Sequence, residues 1–455
     1  MPPLGAQSPL LPTAPMALTM PPPHIVAAVS PIEAVPAGVA DLQNWLHAHG
    51  VELDRVAFGP NVVAATPLAK GERSLSIPFQ LTMNVHSARA SDLAPLLARE
   101  STLLHNEVLV LHLVYERLKG EASFWAPFLR TLPETFDTPI YWSQEEFHEL
   151  KGTNVAMLTN VQRQQLVADY TTIYHRICLR YPSFFPLDRV SIADFKWALS
   201  VLSSRAFGIT KDGEYLQVLC PGLDRITHDV NLHVPLDEAI VFDAASQSLS
   251  HHVHEDTTAG APLTISYGPY SNAKLLTSYG FVVPGNLNCG IDFWLDIPRS
   301  DRYFRLKKAL LDSNALTAAQ TYDFDGTLLG SSVSERLLAT VRIIRMHETE
   351  IDAHNNAFRS QLISRSNEML VYDSLIAACR QKLQSYTCTL KQDDALLLQG
   401  LPLSPRLQAA LLVRMEEKRV LNETIDTLNL WSNYLMVKQD TDVVGYPPHD
   451  VTMAL

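Results

Sequence analysis

The spacing of hydrophobic residues divides the chain into segments with different periods. Between about 91 and 197 the period is helical, as in Leu104, Val108 and Leu111. After Gly213, short β-like runs alternate with turns until about residue 298. Beyond residue 300, long amphipathic stretches predict a region that is helical almost throughout.

The first part of the chain combines a helix with short strands. An amphipathic helix is expected from about Val39, with Asp41 in its first turn, and β-like runs follow at 51–53, 62–65 and 74–78. Two β-rich segments therefore flank a helical block. They can form one contiguous sheet only if that block is an insertion.

These patterns predict an α+β protein with two folded domains. The first domain, residues 36–300, would contain the β-rich segments and a helical insertion at about 90–200, and residues 301–440 would form an all-α domain. Residues 1–35 are rich in Pro and Ala and contain no Lys or Arg. That composition predicts a disordered tail rather than a secretory signal or a mitochondrial presequence.

The formal net charge of −12 bears on the choice of partner. A general nucleic-acid binder needs a surplus of Lys and Arg to neutralise phosphates, so the charge argues against that class. It suits a protein that attracts a basic or Lys-containing segment of another protein. No uninterrupted apolar run reaches the roughly 18–20 residues of a membrane-spanning helix, so no membrane partner is expected.

Cysteine and histidine usage argues against a metal site. The five cysteines are scattered and form no C-x-x-C pair, so neither a cysteine zinc site nor a disulfide framework is expected. A reducing compartment, the cytoplasm or the nucleus or both, fits this usage. The metal-like cluster is His251, His252, His254 and Glu255, and we expect no functional metal there.

Three separated clusters contain the residues that suggest chemistry. They are the turn Phe58-Gly59-Pro60-Asn61; the segments Ser203-Ser204-Arg205-Ala206-Phe207 and Asp224-Arg225-Ile226-Thr227-His228; and Tyr267-Gly268-Pro269-Tyr270-Ser271-Asn272 with Tyr279-Gly280-Phe281.

In this order the clusters resemble the SET-domain methyltransferases of the Rubisco large-subunit and ribosomal-protein lysine methyltransferase type. That family has a G-x-G turn, an S-R-x-F helix end, a D-x-x-N-H segment and a Y-G-x-x-S-N…Y-G-F segment. The insertion run 123–128 and the run Arg414-Met415-Glu416-Glu417-Lys418 also fall in the expected order, so the likeness covers roughly residues 40–430. It implies a SET β-fold with a knotted C-terminal segment, followed by a Rubisco-methyltransferase-like substrate-binding domain.

The resemblance also implies S-adenosyl-L-methionine as the cofactor and assigns roles to residues of the clusters. Tyr267 would supply the catalytic hydroxyl, and Tyr279 and Phe207 would line the channel for the substrate side chain. The cofactor-binding residues would be Gly59, Pro60, Asn61, Arg205, Asp224, Thr227, His228 and Phe281.

Two positions depart from the family pattern. Asn61 replaces the second Gly of the turn; because Asn tolerates a positive φ better than other non-Gly residues, the turn is expected to keep its shape. Thr227 replaces an Asn, and a hydroxyl makes fewer hydrogen bonds than an amide. One bond lost to a buried partner costs about 1–3 kcal/mol. That loss would weaken cofactor binding by roughly one or two powers of ten.

The implied activity is that of a monomeric protein-lysine N-methyltransferase acting on ribosomal or translation-related proteins. Protein-histidine methylation is an alternative, although the actin-modifying members of the family carry Asn directly after the arginine, where this chain has Ala206. A SET-like binding module that has lost catalysis is a second alternative, motivated by Asn61 and Thr227.

Overall fold

The structure is a computed structural model that describes residues 38–437, apart from 287, 317–320, 328, 329 and 401. The tail expected at 1–35 and the expected domain end at 440 lie outside the described residues. The mixture of helices and strands confirms the α+β class.

Small sheets make up the β-rich part of the chain. Its strands are β1 (Val56–Phe58), β2 (Val62–Ala64), β3 (Arg73–Pro78), β4 (Ala206–Lys211), β5 (Glu214–Leu219), β6 (Thr227–His228), β7 (Ile240–Asp243), β8 (Ser248–His252) and β9 (Thr264–Ile265). β1 pairs with β2, β4 with β5, and β8 with both β3 and β7, all antiparallel. β6 and β9 instead pair in parallel, with Thr227 opposite Thr264 and His228 opposite Ile265.

One strand prediction at the start of this region is wrong. Residues 51–53 are not a strand, and β1 begins at Val56. The apolar residues at 51 and 53 are too few to define a period, and β1 forms where the chain can pair with β2 across the turn.

Helices surround these sheets and fill the block expected as an insertion. They are α1 (Val39–Ala48), α2 (Val85–Arg89), α3 (Ala94–Arg99), α4 (His105–Lys119), α5 (Ala126–Leu129), α6 (Gln144–His148), α7 (Asn154–Ile173), α8 (Ile192–Arg205), α9 (Leu236–Ala239) and α10 (Asn272–Tyr279).

Helix α8 brings Arg205 to the β-rich part because its sequence defines both of its ends. Ser191 Oγ accepts from the Ala193 N–H at 3.2 Å, and the Asp194 carboxylate accepts from the Ser191 N–H at 2.9 Å, which satisfies N-terminal amides. Trp197 is buried and its indole donates to the Pro133 carbonyl at 2.9 Å. The helix ends at Arg205, and β4 begins at the next residue.

Both ends of helix α10 are also defined by its sequence, and this fixes the position of Tyr279. Ser271 caps its N-terminus, and Gly280 ends it with a φ of 82°. A Cβ at Gly280 would lie 3.1 Å from the backbone of Asp137 and Thr138, so a larger residue would push the helix end away from the insertion. Tyr279 is therefore held one residue before a fixed turn.

The C-terminal part of the chain packs helices around a small sheet. Its helices are α11 (Phe304–Ser313), α12 (Glu335–Arg345), α13 (Arg365–Ser385), α14 (Leu390–Leu398) and α15 (Pro405–Val437), and its strands are β10 (Cys289–Trp294), β11 (Thr321–Thr327) and β12 (Gly330–Val333). We call the part from α11 onwards the rear domain. No helix in the described part of the chain is long and apolar enough to cross a membrane.

The prediction of an all-α rear domain is wrong. β11 and β12 form an antiparallel hairpin, and β11 also pairs with β10. The sequence at 321–325, Thr-Tyr-Asp-Phe-Asp, alternates polar and aromatic residues, which is the two-residue period of a strand. The long helical stretches on both sides hid that short signal.

A hydrophobic cluster joins the insertion, α10 and the rear domain. It contains Trp142 and Val155 from the insertion, Leu276 from α10, and Ala410 and Val413 from α15. These residues are buried, so the front and rear of the molecule share a packed interface beside the helix that ends at Tyr279.

A buried ion pair lies at the centre of the rear domain. Arg342 and Glu368 have no exposed side-chain surface and form two hydrogen bonds of 2.7 Å each. Arg342 also lies 3.7 Å from the partly exposed Glu335. A charge in such a place is tolerated only while its partner remains.

We predict that Glu368→Gln destabilises the protein by about 3 kcal/mol, because it leaves the Arg342 charge buried without its carboxylate. Urea unfolding of the full chain measures this change. The matched control is Asp312→Asn, which breaks the half-exposed pair of Lys308 and Asp312 at 2.6 Å. The control should change the free energy of unfolding by less than about 1 kcal/mol. Equal effects of the two variants would contradict the prediction.

Candidate active site

The segment Asp224–His228 contacts all the other clusters that the sequence singled out. At its start, the buried Arg225 donates from Nη2 to the carbonyl oxygens of Gly59 at 2.9 Å and Pro60 at 3.3 Å. The turn between β1 and β2 is thus held by an arginine to which the sequence analysis assigned no role.

Asp224 holds Arg205 in place. Arg205 Nη1 donates to Asp224 Oδ2 at 3.1 Å, and Asp224 Oδ1 accepts from the Gly222 N–H at 3.0 Å. The Asp224 side chain is 1% exposed, whereas that of Arg205 is 13% exposed. The predicted contact of Asp224 with the cofactor stays a prediction; in the structure its carboxylate orients the guanidinium. Arg205 keeps some accessible surface for an anionic group.

The side chains of β6 bond to the strand beside it. Thr227 Oγ1 donates to the Leu263 carbonyl at 3.4 Å, and His228 Nδ1 accepts from the Tyr267 N–H at 3.1 Å. Because that nitrogen accepts a hydrogen bond, the imidazole is neutral and carries its proton on Nε2. Burial also lowers the pKa of His228, which favours the same neutral form.

Tyr267 lies two residues after the end of β9 and contacts the segment at 224–228. Its hydroxyl donates to the Ile226 carbonyl at 3.0 Å, and its ring stacks on that of His228 at 5.0 Å between centroids. Two oxygen atoms, one phenolic and one carbonyl, are thereby held side by side. Both are acceptors for weakly acidic hydrogens.

Four rings form a stacked column in the site. His228 stacks on Tyr267, Tyr267 stacks on Tyr279 at 4.7 Å, and Tyr279 stacks on Tyr270 at 6.3 Å, with interplanar angles of 21–27°. Phe281 lies at the side of the column, tilted, 6.0 Å from His228 and 6.2 Å from Tyr279. We call these five residues the ring column.

The electrostatics of the ring column keep it uncharged. Burial raises the pKa of Tyr279, and the neighbouring Tyr270 and Tyr267 add to that effect. With a neutral His228 as well, the column offers electron-rich faces and no formal charge near pH 7. Such a surface favours a cation placed over it.

Phe207 and Asn61 are two of the predicted site residues that lie outside the ring column. Phe207 is buried in the large core on β4, opposite Val218. Its place in a substrate channel stays a prediction. Asn61 is exposed, and the expectation that it would use its tolerance of a positive φ is wrong, because neither Asn61 nor Gly59 has one. The Gly59 N–H donates to the Asn61 carbonyl at 3.1 Å, so the turn closes with ordinary backbone angles.

The structure adds residues that sequence reasoning did not assign. Arg225 contacts the backbone of Gly59, and Tyr270 stacks on Tyr279. Asn272 and Asn286 instead bond to the backbones of Val283 and Tyr270, which lie close to the predicted residues in the chain. Asn272 stands in the S-N pair of the family motif, which was a usable signal. Arg225 had no comparable signal, because it lies between Asp224 and Ile226 without a pattern of its own. Nothing in the sequence around Asn286 distinguishes it.

The chemistry of these residues fits S-adenosyl-L-methionine. Arg205 has the charge and accessible surface to pair with its carboxylate. The neutral ring column suits its sulfonium, and the half-buried Phe281 offers a face for its adenine. The backbone at 59–61 borders the same site through Arg225.

Two histidines of the metal-like cluster at 251–255 form hydrogen bonds with other parts of the chain. His251 is fully buried and its Nδ1 lies 2.7 Å from Ser74 Oγ, whereas His252 Nδ1 lies 3.1 Å from the Gly71 carbonyl. In the described ranges, no group of three His, Cys, Asp or Glu side chains is placed to hold a metal ion.

Comparisons with known proteins agree with this arrangement. The family model described as Rubisco LSMT substrate-binding matches residues 298–421. The chain is 29% identical to the [fructose-bisphosphate aldolase]-lysine N-methyltransferase of Arabidopsis thaliana, covering 87% of this chain and 84% of the relative. It is 26% identical to the Rubisco large subunit N-methyltransferase of Nicotiana tabacum (86% and 82% covered) and 27% identical to the actin-histidine N-methyltransferase of Callithrix jacchus (85% and 67% covered).

A solved structure matches over almost the same length. The crystal structure of the SET domain of LSMT bound to lysine and AdoHcy superposes with a TM-score of 0.77 at 26% identity, covering 88% of this chain and 92% of that one. The fold, the site and these similarities support a SET-domain protein methyltransferase of the Rubisco-LSMT-like class. Residues 298–421 match the family model of the corresponding substrate-binding domain.

We predict that Gly268→Ala disrupts the ring column. Gly268 has a φ of 136°, and a Cβ there would lie 2.9 Å from Tyr270 Cζ, so backbone strain and a ring clash combine. The expected loss of stability is more than about 2 kcal/mol, with a changed near-ultraviolet circular dichroism signal from the tyrosines.

Gly260→Ala is the matched control for that variant. Gly260 also has a positive φ, of 84°, but a Cβ there meets nothing within 4 Å. It should cost about 1 kcal/mol and leave the tyrosine signal unchanged. A Gly268 variant that behaves like the control would show that the ring column tolerates the extra methyl group.

Proposed function

We propose that this protein transfers a methyl group from S-adenosyl-L-methionine to the side-chain amine of lysine in a protein substrate. The observation that carries the proposal is the convergence of Arg205, His228 and Tyr267 around the segment Asp224–His228, with the Tyr267 hydroxyl 3.0 Å from the Ile226 carbonyl. The bound cofactor supplies a methyl group on a positively charged sulfur.

The protein's part in the reaction is to align and polarise. Methyl transfer from a sulfonium is an in-line displacement, so the amine nitrogen, the methyl carbon and the sulfur have to be collinear. The Tyr267 oxygen and the Ile226 carbonyl oxygen would accept weak C–H···O contacts from the methyl group and fix its direction. The sulfur–carbon bond breaks, a nitrogen–carbon bond forms, and the amine gives its proton to solvent.

The site also favours the neutral form of the lysine. A free lysine with a pKa near 10.4 is deprotonated about once in a thousand molecules at pH 7.4, a penalty of roughly 4 kcal/mol. Neutral, half-buried rings around the amine lower that penalty, because they replace the water that solvates an ammonium ion and their cation–π attraction offsets only part of that loss.

On the substrate side, we propose a protein with a basic or Lys-containing segment, bound in part by the rear domain. The net charge of −12 and the family-model match at 298–421 support this. The relatives are named for three different substrate proteins, Rubisco, aldolase and actin, so they do not single out a ribosomal substrate. We also propose a monomer as the active unit.

For location we propose the cytoplasm or the nucleus or both. Cys178, Cys220, Cys379 and Cys388 are free thiols, three of them buried, which suits a reducing compartment. Two of the relatives are named as chloroplastic, so a fluorescent fusion should be examined in cells that contain plastids as well as in cells that do not.

Labelling tests the function directly. A lysate from cells that lack the gene is incubated with the purified protein and cofactor labelled in the methyl group, and the labelled residue is identified by mass spectrometry. Methyl-lysine is the expected product, and methyl-histidine would favour the activity named for the actin-modifying relative. Calorimetry with unlabelled cofactor accompanies it: no heat at millimolar concentration would leave only the binding-module alternative.

We predict that Tyr267→Phe lowers the methyl-transfer rate by about 100-fold, because the methyl group loses one of its two oxygen contacts and its alignment. The ring and its stacking on His228 and Tyr279 remain, so cofactor affinity should change by less than about threefold. Initial rates and calorimetry measure the two effects. Tyr215→Phe, at a tyrosine that is 66% exposed on β5, is the control and should leave both unchanged. An unaltered rate in Tyr267→Phe would show that the hydroxyl has no part in the reaction.

A further inference from the structure

Asn272, the first residue of α10, connects the two segments that carry the tyrosines of the ring column. Tyr267 and Tyr270 precede it, and Tyr279 and Phe281 follow it. The Asn272 side chain donates from Nδ2 to the Val283 carbonyl at 2.8 Å and accepts at Oδ1 from the Val283 N–H at 2.8 Å. This one amide thus joins the start of α10 to the backbone four residues beyond its end. We call this link between Asn272 and Val283 the closure.

Asn286 strengthens the same closure. Its Nδ2 donates to the Tyr270 carbonyl at 2.9 Å and approaches Asn272 Oδ1 at 3.4 Å. Asn272 and Asn286 are each 3% exposed, so their hydrogen bonds do not compete with water. The backbone of Tyr270 and that of Val283 are therefore held at a set distance.

The rear domain reaches this closure through Glu416. Glu416 Oε2, on α15, accepts from Asn272 Nδ2 at 3.0 Å. A bond from an amide to a carboxylate is stronger than one between neutral groups, so the glutamate also fixes the rotation of the Asn272 amide. With Nδ2 directed at Glu416 and the Val283 carbonyl, Oδ1 is left facing the Val283 N–H.

The next residue of α15 makes a separate connection. The buried Glu417 accepts from the Asn154 N–H at 2.9 Å and from the Tyr386 hydroxyl at 2.5 Å, and so joins α7 to the rear domain. Adjacent residues of a helix point about 100° apart. Glu416 therefore bonds to the active-site segment, whereas Glu417 bonds to the insertion.

We propose that Asn272 is a positioning residue for methyl transfer and that Glu416 makes its position depend on the docked rear domain. The expected effect on methyl transfer rests on the proposed function, whereas the link between Glu416 and Asn272 rests on the hydrogen bonds alone. The closure sets the spacing between Tyr279, which follows it through α10, and Tyr267, which precedes it. Loss of Glu416 removes one of the bonds that hold the Asn272 amide, so its two bonds with Val283 open more often and the stack loosens.

The test compares Glu416→Ala with Glu416→Gln in the full-length protein. Hydrogen exchange read by mass spectrometry should show the peptide that contains Val283 exchanging at least tenfold faster in Glu416→Ala. The reason is that the Val283 N–H is then bonded to Asn272 Oδ1 for less of the time. Glu416→Gln keeps an oxygen acceptor for Asn272 Nδ2 and should exchange within threefold of the unaltered protein. Both measurements are independent of any methyl transfer, so they test the connection even if the proposed function fails.

Kinetics then separate positioning from simple stabilisation. With the same lysate as substrate and the concentration of labelled cofactor varied, Glu416→Ala should lower kcat about tenfold while KM for the cofactor stays within threefold, and Glu416→Gln should restore kcat. Glu423→Ala, at a partly exposed glutamate further along α15, is the matched control and should change neither exchange at Val283 nor kcat.

Asn272→Ala gives a second route to the same answer. If Asn272 and Glu416 act together, the double variant should have the kcat of Asn272→Ala alone, because the second change removes a bond that is already lost. Effects that multiply would overturn the inference. So would unchanged exchange at Val283 in Glu416→Ala, or a lowered kcat that Glu416→Gln does not restore.

Discussion

Thr227 and His228 pair with Thr264 and Ile265 over only two residues, and the site depends on this short parallel contact. A ladder of that length supplies few backbone hydrogen bonds, so side chains have to define its register. They do so when His228 accepts from the Tyr267 N–H and Thr227 donates to the Leu263 carbonyl. A slip of one residue would turn these side chains to the opposite face and separate His228 from Tyr267. The catalytic geometry therefore exists only in one register.

Buried polar groups hold the parts of the molecule around that contact. Asp224 and Arg205 do so at the site, and Arg414 bonds both Asp393, within the rear domain, and Glu149, on the insertion. Pairs of this kind add little net stability compared with well-packed apolar residues. They do penalise every arrangement in which a charge loses its partner. We infer that they define how the insertion and the rear domain sit against the β-rich part, whereas the apolar cluster between them supplies the stability.

The ordered motifs allowed the class of fold and the central site residues to be predicted from sequence, because each motif keeps its local structure. Arg205 ends a capped helix and Tyr279 precedes a Gly with a positive φ, both readable as local signals. The contact of Arg225 with Gly59 is not readable, since it joins residues 166 positions apart and has no local pattern. The β11–β12 hairpin had a pattern, but its few alternating residues lie between long helical stretches.

The two departures from the family pattern bear on binding more than on chemistry. The Thr227 hydroxyl donates to the Leu263 carbonyl and so helps to hold β6 against β9, instead of replacing the amide contacts with the cofactor that the family pattern implies. Asn61 is exposed on a turn that Arg225 fixes through the carbonyls of Gly59 and Pro60, so its side chain does not decide the shape of the turn. The alignment of the methyl group depends on other atoms, the Tyr267 hydroxyl and the Ile226 carbonyl, which the structure keeps together. Weaker cofactor affinity and intact transfer geometry are therefore compatible, and the departures alone do not imply that catalysis has been lost.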